Sequence, residues 1–136
     1  MGLKVYTPLS EADEGIVTET LNSAFAVHRT LGPGFKEKIY HRAFLLELDS
    51  RGIGFESEKP ILVKYKTWEI PGQKVDLIVG GVVLIEIKAV PKIRAIHRAQ
   101  ALSYLRTTGL RVALILNFNA VCSSTARSDS YCKGEN

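Results

Sequence analysis

The chain has 136 residues, 46% apolar and 24% charged, the proportions of a single globular domain able to bury a core without a disulfide or structural metal. Apolar runs such as Val82 to Ile85 are far too short to span a bilayer, no apolar signal region opens the chain, Tyr6 stands where a myristoylation signal on Gly2 requires Ser or Thr, and the only cysteines, Cys122 and Cys132, lack zinc-type partners, so membrane and disulfide-scaffold classes fall away and a cytoplasmic protein is expected. The net charge of +4 is uneven: 10 basic residues stand against 12 acidic ones through Glu86, and 8 against 2 from Ile87 onward, which points to a polyanion partner for the second half or, more plainly, to a basic solvated face.

Ser10-Glu11-Ala12-Asp13 reads as a capping box, and Val17, Leu21, Ala24, His28 and Leu31 recur at helical spacing, predicting a helix over 11–31. Gly32-Pro33-Gly34 stops it. A second helix, from about Phe35 to Gly52, carries Glu37, Tyr40, Phe44 and Leu48 on one stripe, which sets one carboxylate on an otherwise apolar face. Short β segments are predicted at 53–56 and 61–66, then a turn region at 68–73 around Pro71-Gly72. Val75 to Val79 and Val82 to Lys88 read as covered strands joined at Gly80-Gly81. A third helix should run from Pro91 to about Thr107 and a last strand from Leu110 to Phe118. This order predicts an α/β domain over 1–119, with a mixed sheet flanked by helices, followed by a polar, unstructured tail over 120–136.

Three ionisable residues interrupt the covered strands: Asp76, Glu86 and Lys88. Charges are rarely buried unless paired or bound to a metal, so their presence needs a cause. Glu86 and Lys88 share a face, whereas the face of Asp76 depends on the hairpin. A two-residue Gly80-Gly81 turn pairs Val79 with Val82 and sets the two carboxylates on opposite faces; an odd loop such as Val79-Gly80-Gly81, with Gly81 left-handed, sets them on one face, and the chemistry requires the latter. Two carboxylates and an ammonium at a sheet edge suit a hard divalent cation that activates water beside a phosphate. A buried salt-bridge cluster without catalysis is the plainer alternative.

Asp76 followed by Glu86-Ile87-Lys88 resembles the core motif of the PD-(D/E)XK nuclease superfamily, and Gly34-Phe35-Lys36-Glu37-Lys38-Ile39-Tyr40 resembles the motif of its GxxExxY branch. The resemblance extends from the first helix through Asn117-Phe118-Asn119. It implies a restriction-endonuclease-like core in which Asp76 and Glu86 are the principal metal ligands, Ile87 offers its backbone carbonyl, Glu37 completes the metal site from a helix, and Lys88 is the catalytic lysine. Gln100 and Tyr104 resemble the QxxxY motif of the exonuclease-like branch. The expected activity is hydrolysis of DNA with Mg²⁺, or Mn²⁺ in its place. Two positions depart from the pattern: Val75 stands where a Pro is usual, and the polar tail replaces a basic, apolar stretch.

The supporting residues have plainer readings as well. Tyr40, on the stripe with Phe44 and Leu48, reads more simply as a core tyrosine with a bonded hydroxyl, and His28 as a satisfied core histidine. Gln100 and Tyr104 share a helical face with His97, opposite Ala95, Ala99 and Leu102, so one face can pack while the other meets DNA or the metal shell. His97 is not read as a ligand. Lys92, Arg94, Arg98 and Arg106 are candidate phosphate contacts or ordinary surface charge. The rival readings are a non-catalytic nucleic-acid-binding module with the nuclease fold and a structural or dimerising domain; a homodimer would suit a small nuclease.

Overall fold

The computed structural model describes residues 9–119 and Ser124–Thr125. Helix α1 (Glu11–Leu31) opens at the N-cap expected for it: Ser10 Oγ accepts the Asp13 amide at 3.1 Å, the Ser half of the predicted capping box, and three acids in the first turn complement the helix dipole. It buries Val17, Thr20, Ser23, Ala24 and Val27. Thr20 and Ser23 tolerate the interior because their hydroxyls donate back to the Ile16 and Glu19 carbonyls, at 2.7 and 2.8 Å. Helix α2 (Glu37–Ser50) starts two residues later than its pattern indicated and buries the stripe Tyr40, Phe44 and Leu48.

Among the described residues five strands form one sheet in sequential order: β1 (Phe55–Tyr65), β2 (Trp68–Val79), β3 (Val83–Lys88), β4 (Val112–Asn117) and β5 (Ser124–Thr125). All neighbours are antiparallel except β3 and β4, which run parallel and are joined across helix α3 (Ala95–Thr108). Leu77, Val79, Ile85, Ile87 and Leu114 pack on one face with α1 and α2; Ile61, Ile78, Leu84 and Ile115 pack on the other with Ala101 and Tyr104 of α3. The predicted mixed sheet flanked by helices is thus the observed architecture. The expectation of an unstructured tail is corrected at Ser124–Thr125, which pair as β5 with Ile115 and Leu114; the rest of 120–136 lies outside the described residues.

Two expectations for the first hairpin are corrected. The segments at 53–56 and 61–66 are parts of one strand, and 68–73 is strand, not turn: the chain reverses between Tyr65 and Trp68, which pair directly. Pro71-Gly72 forms a bulge, since Ile61 pairs with Gln73 while Val63 pairs with Ile70. Proline is tolerated there because the described pairing of β2 with β3 extends only from Val79 to Leu77, so beyond it β2 has β1 as its only neighbour among the described strands.

Candidate active site

The hairpin parity that the chemistry required is present, one residue along from the expected loop. Gly80 and Gly81 have φ of 61° and 70°, Val82 donates to the Val79 carbonyl at 3.0 Å, and Val79 pairs with Val83 across a three-residue loop. The register continues through Ile78 with Leu84 and Leu77 with Ile85, and then stops. The next pair in that register would be Asp76 with Glu86.

The strands part at that pair, and the carboxylates take over the backbone bonding. The Asp76 amide donates to Glu86 Oε2 at 3.1 Å, and the Ile87 amide donates to Asp76 Oδ2 at 2.8 Å. Asp76 is also skipped in the pairing with β1, where Glu58, the residue in register with it, has a left-handed φ of 50°. The alternation of β2 breaks at this point: Leu77 packs with α1 and α2, but Val75 packs on the α3 side. Asp76 therefore sits where β2 twists out of the sheet.

Among the described residues, no hydrogen bond uses Asp76 Oδ1 or Glu86 Oε1. The Lys88 carbonyl accepts from the Phe118 amide at 3.0 Å, on the β4 side. By the pleat, the backbone groups of Ile87 point the other way, toward the carboxylates, and the Ile87 carbonyl lies beyond the end of the β2 ladder. Two carboxylate oxygens and a carbonyl make a hard donor set, which fits a divalent cation such as Mg²⁺ or Mn²⁺.

Electrostatics agrees with that fit. Glu86 is only 5% exposed, and burial, then the Asp76 carboxylate, push its carboxyl up to about 7, against the lowering pull of the Asp76 amide and Lys88. Lys88 makes no ion pair with either acid among the described residues; its Nζ donates to Gln100 Oε1 at 3.5 Å. The salt-bridge-cluster reading is corrected on this point. A buried carboxylate beside a half-buried one, with no cation bonded to either among the described residues, is what a metal would relieve.

Glu37 is brought near this pair but not onto it. Partial desolvation and then Asp76 raise its carboxyl above the usual range, with Lys88 and His41 pulling the other way. The residue is largely exposed, and among the described residues no three His, Cys, Asp or Glu side chains converge as a metal cluster. Tyr40 fixes where Glu37 stands. Its hydroxyl donates to the Gly32 carbonyl at 2.5 Å and accepts the Phe35 amide at 3.1 Å, tying down the turn that launches α2, while its ring stacks on Phe118 at 4.9 Å. The core-tyrosine reading of Tyr40 holds. His28 differs from its reading: it stacks on Phe118 at 6.4 Å, but its Nε2 is buried with no hydrogen-bond partner among the described residues.

The expected faces of α3 are reversed. Ala101 and Tyr104 are buried, whereas Ala95 and Ala99 are exposed. Tyr104 is 4% exposed, which sets it behind the site, not on a surface open to nucleic acid. Its hydroxyl accepts from Gln73 Nε2, while Gln100, one turn earlier on α3, takes the Lys88 ammonium on its Oε1. His97 Nδ1 accepts the Arg94 amide at 2.9 Å and caps α3; desolvation, then Lys88, Arg94 and Arg98, depress its pKa. Those cations therefore cluster at the start of α3. Lys92 and Arg94 are exposed, Arg98 is half-buried, and none is ion-paired among the described residues.

Sequence reasoning missed two residues. Buried Asn117 accepts the Val90 and Asn119 amides at 3.1 and 3.2 Å and donates to the Val90 carbonyl at 2.9 Å, anchoring the loop after Lys88. The signal was present, a polar residue closing an apolar strand. Gln73 was obscured by its assignment to a turn.

Residues 14–128, the stretch that holds the carboxylate pair and the lysine two residues on, match the family model of the PD-(D/E)XK nuclease superfamily. The chain belongs to that superfamily, whose nucleases typically use divalent metals. No curated protein matches it. No helix among the described residues is long and apolar enough to cross a membrane.

Proposed function

We propose that this chain is a divalent-metal-dependent nuclease that hydrolyses DNA phosphodiester bonds. The observation that carries the reading is the parted strand pair, where Asp76 and Glu86 each spend one oxygen on the opposite strand while the other, among the described residues, makes no hydrogen bond. Mg²⁺ or Mn²⁺ held by those other oxygens and the Ile87 carbonyl supplies a water of lowered pKa and a Lewis acid at the phosphate. Lys88, steered by Gln100, donates to the negative charge that grows on the phosphoryl oxygens. Glu37 acts through water at the rim of the site, and with Tyr40 it supports membership of the GxxExxY branch. Lys92, Arg94 and Arg98, with the positive end of α3, meet backbone phosphates. A cytoplasmic location and a homodimer are compatible with this reading.

The test compares wild type with Glu86→Ala on linear, circular and single-stranded DNA in Mg²⁺, Mn²⁺ or EDTA. Metal-dependent cutting that disappears in the variant is the expected result. One observation favours the binding-module reading, the absence of a third converging acid among the described residues. If neither protein cuts and both bind DNA equally well in EDTA, that second reading replaces the first.

A further inference from the structure

Beyond Leu77, β1 and β2 continue as a two-stranded arm that leaves the body of the sheet. The extra residue of the Pro71-Gly72 bulge lies on β2, so β1 keeps its alternation and Ile61, Val63 and Tyr65 share a face. Ile61 belongs to the buried cluster that contains Tyr104 and Ala101, and its partner Gln73 bonds the Tyr104 hydroxyl, which identifies that face as the one covered by α3, the face of Glu86 and Lys88. Past α3 the same face carries Val63 with Ile70 and Tyr65 with Trp68, and these are 39, 49, 55 and 62% exposed.

The tip is built around its aromatic pair. Tyr65 and Trp68 stack with centroids 6.2 Å apart and planes 19° from parallel, and Lys66 Nζ lies 5.4 Å from the Tyr65 centroid. The two-residue turn holds Lys66 at a φ of 56°, a conformation that Asn or Gly adopts at less cost. Lysine at that position keeps a cation beside the rings. Lys64 and Lys66 make no ion pair among the described residues, unlike Lys59 and Lys74 at the base of the arm.

We propose that the Tyr65–Trp68 tip is a stacking site for unpaired nucleic-acid bases, gripping a strand whose scissile phosphate lies at the carboxylate site. This rests on the nuclease reading for its substrate. An aromatic pair beside free lysines suits bases and phosphates together. A second copy of the chain suits it less, because the four apolar side chains expose roughly 400 Å², half of what a stable protein interface takes from each partner. From Asp76 to Trp68 the strand covers about 25 Å, or about seven nucleotides at duplex spacing.

Trp68 is the only tryptophan, so its fluorescence reports the tip directly and needs no cleavage. Wild type is titrated with a twelve-nucleotide oligo(dT) and with a blunt duplex of equal length, in EDTA. We expect saturable quenching by the single strand and much weaker quenching by the duplex. In anisotropy titrations with labelled oligo(dT), Tyr65→Ala with Trp68→Ala weakens binding about tenfold or more, without lowering Tm. Lys66→Gly relieves the turn yet reduces the slope of log affinity against log salt by about 0.7. Absence of quenching overturns the proposal, as does a fluorescence change that follows protein concentration alone and accompanies dimer formation in sedimentation. Quenching without metal-dependent cutting leaves the arm standing and removes the nuclease reading; cutting without quenching does the reverse.

Discussion

Asp76 and Glu86 hold each other's strands: the amide of Asp76 donates to Glu86 Oε2 at 3.1 Å, and the carboxylate of Asp76 accepts, at 2.8 Å, the amide of Ile87, the residue after Glu86. The metal-binding geometry we propose is thereby set by ordinary backbone satisfaction before any cation arrives. The cost is electrostatic. Two carboxylates are brought together, and among the described residues neither has an ion pair, Lys88 bonding Gln100 instead.

That cost should be visible as a pH dependence. With a pKa of about 7 in the fold and 4.5 as its ordinary value, Glu86 binds its proton more tightly when folded. Its contribution to stability is fully present below pH 4.5 and lost as pH rises through about 7, a change of roughly 3 kcal/mol. Glu37, also raised, acts with the same sign. In EDTA, Glu86→Gln should raise Tm at pH 8 and flatten the difference curve between pH 5 and 8. Mg²⁺ or Mn²⁺ should raise the wild-type Tm at pH 8 and leave the variant nearly unmoved. Thermal melts of both proteins across that range check this.

Lys88 and Gln100 should separate in size of effect. Lys88→Ala removes the donor aimed at the phosphate and should lower kcat by about 10²- to 10³-fold, with little change in DNA affinity measured in EDTA. Gln100→Leu removes only the 3.5 Å contact that steers the lysine, so a loss of about fivefold is expected. Single-turnover cleavage gives both numbers.

Tyr40→Phe keeps the ring stack on Phe118 but strips the hydroxyl from the Gly32 carbonyl and the Phe35 amide. Stability should fall by about 2 kcal/mol. Because the loosened turn carries Glu37, activity should fall as well, but by less than Glu37→Gln lowers it in an otherwise intact chain. Denaturant melts and cleavage rates on the two variants check the order.

How much was legible depended on how local the cause is. Ser10 and Gly32 bound α1 through contacts within a few residues, so a sequence pattern suffices. The parity of Asp76 and Glu86 was recoverable only because a chemical demand chose between two loops that the glycines allowed equally. Gln73 and the arm were lost because Pro71-Gly72 is turn-forming in most settings; what makes it a bulge is the end of the β2–β3 ladder, a fact about the partner strand. Tyr104 was turned outward because a Gln and a Tyr four apart look alike on a solvated face and on one packed against a sheet. The decision lies with Gln73, thirty-one residues away.

Asn117 gives a final test, because its three bonds can be removed in stages. Asn117→Asp keeps an acceptor for the Val90 and Asn119 amides but loses the donor to the Val90 carbonyl; Asn117→Ala loses all three. Each abandoned backbone group costs on the order of 1 kcal/mol or more, so stability should fall in the order Asn, Asp, Ala, with Ala about 3 kcal/mol below wild type. The loop that Asn117 anchors leads from Lys88 to Lys92 and Arg94, so the same order should appear in the exchange rate of the Val90 amide and in DNA affinity. If Asn117→Ala melts with wild type while the Val90 amide exchanges freely, the anchor orders the loop without stabilising the fold. Retained protection at Val90 in that variant would mean the loop is held by other contacts.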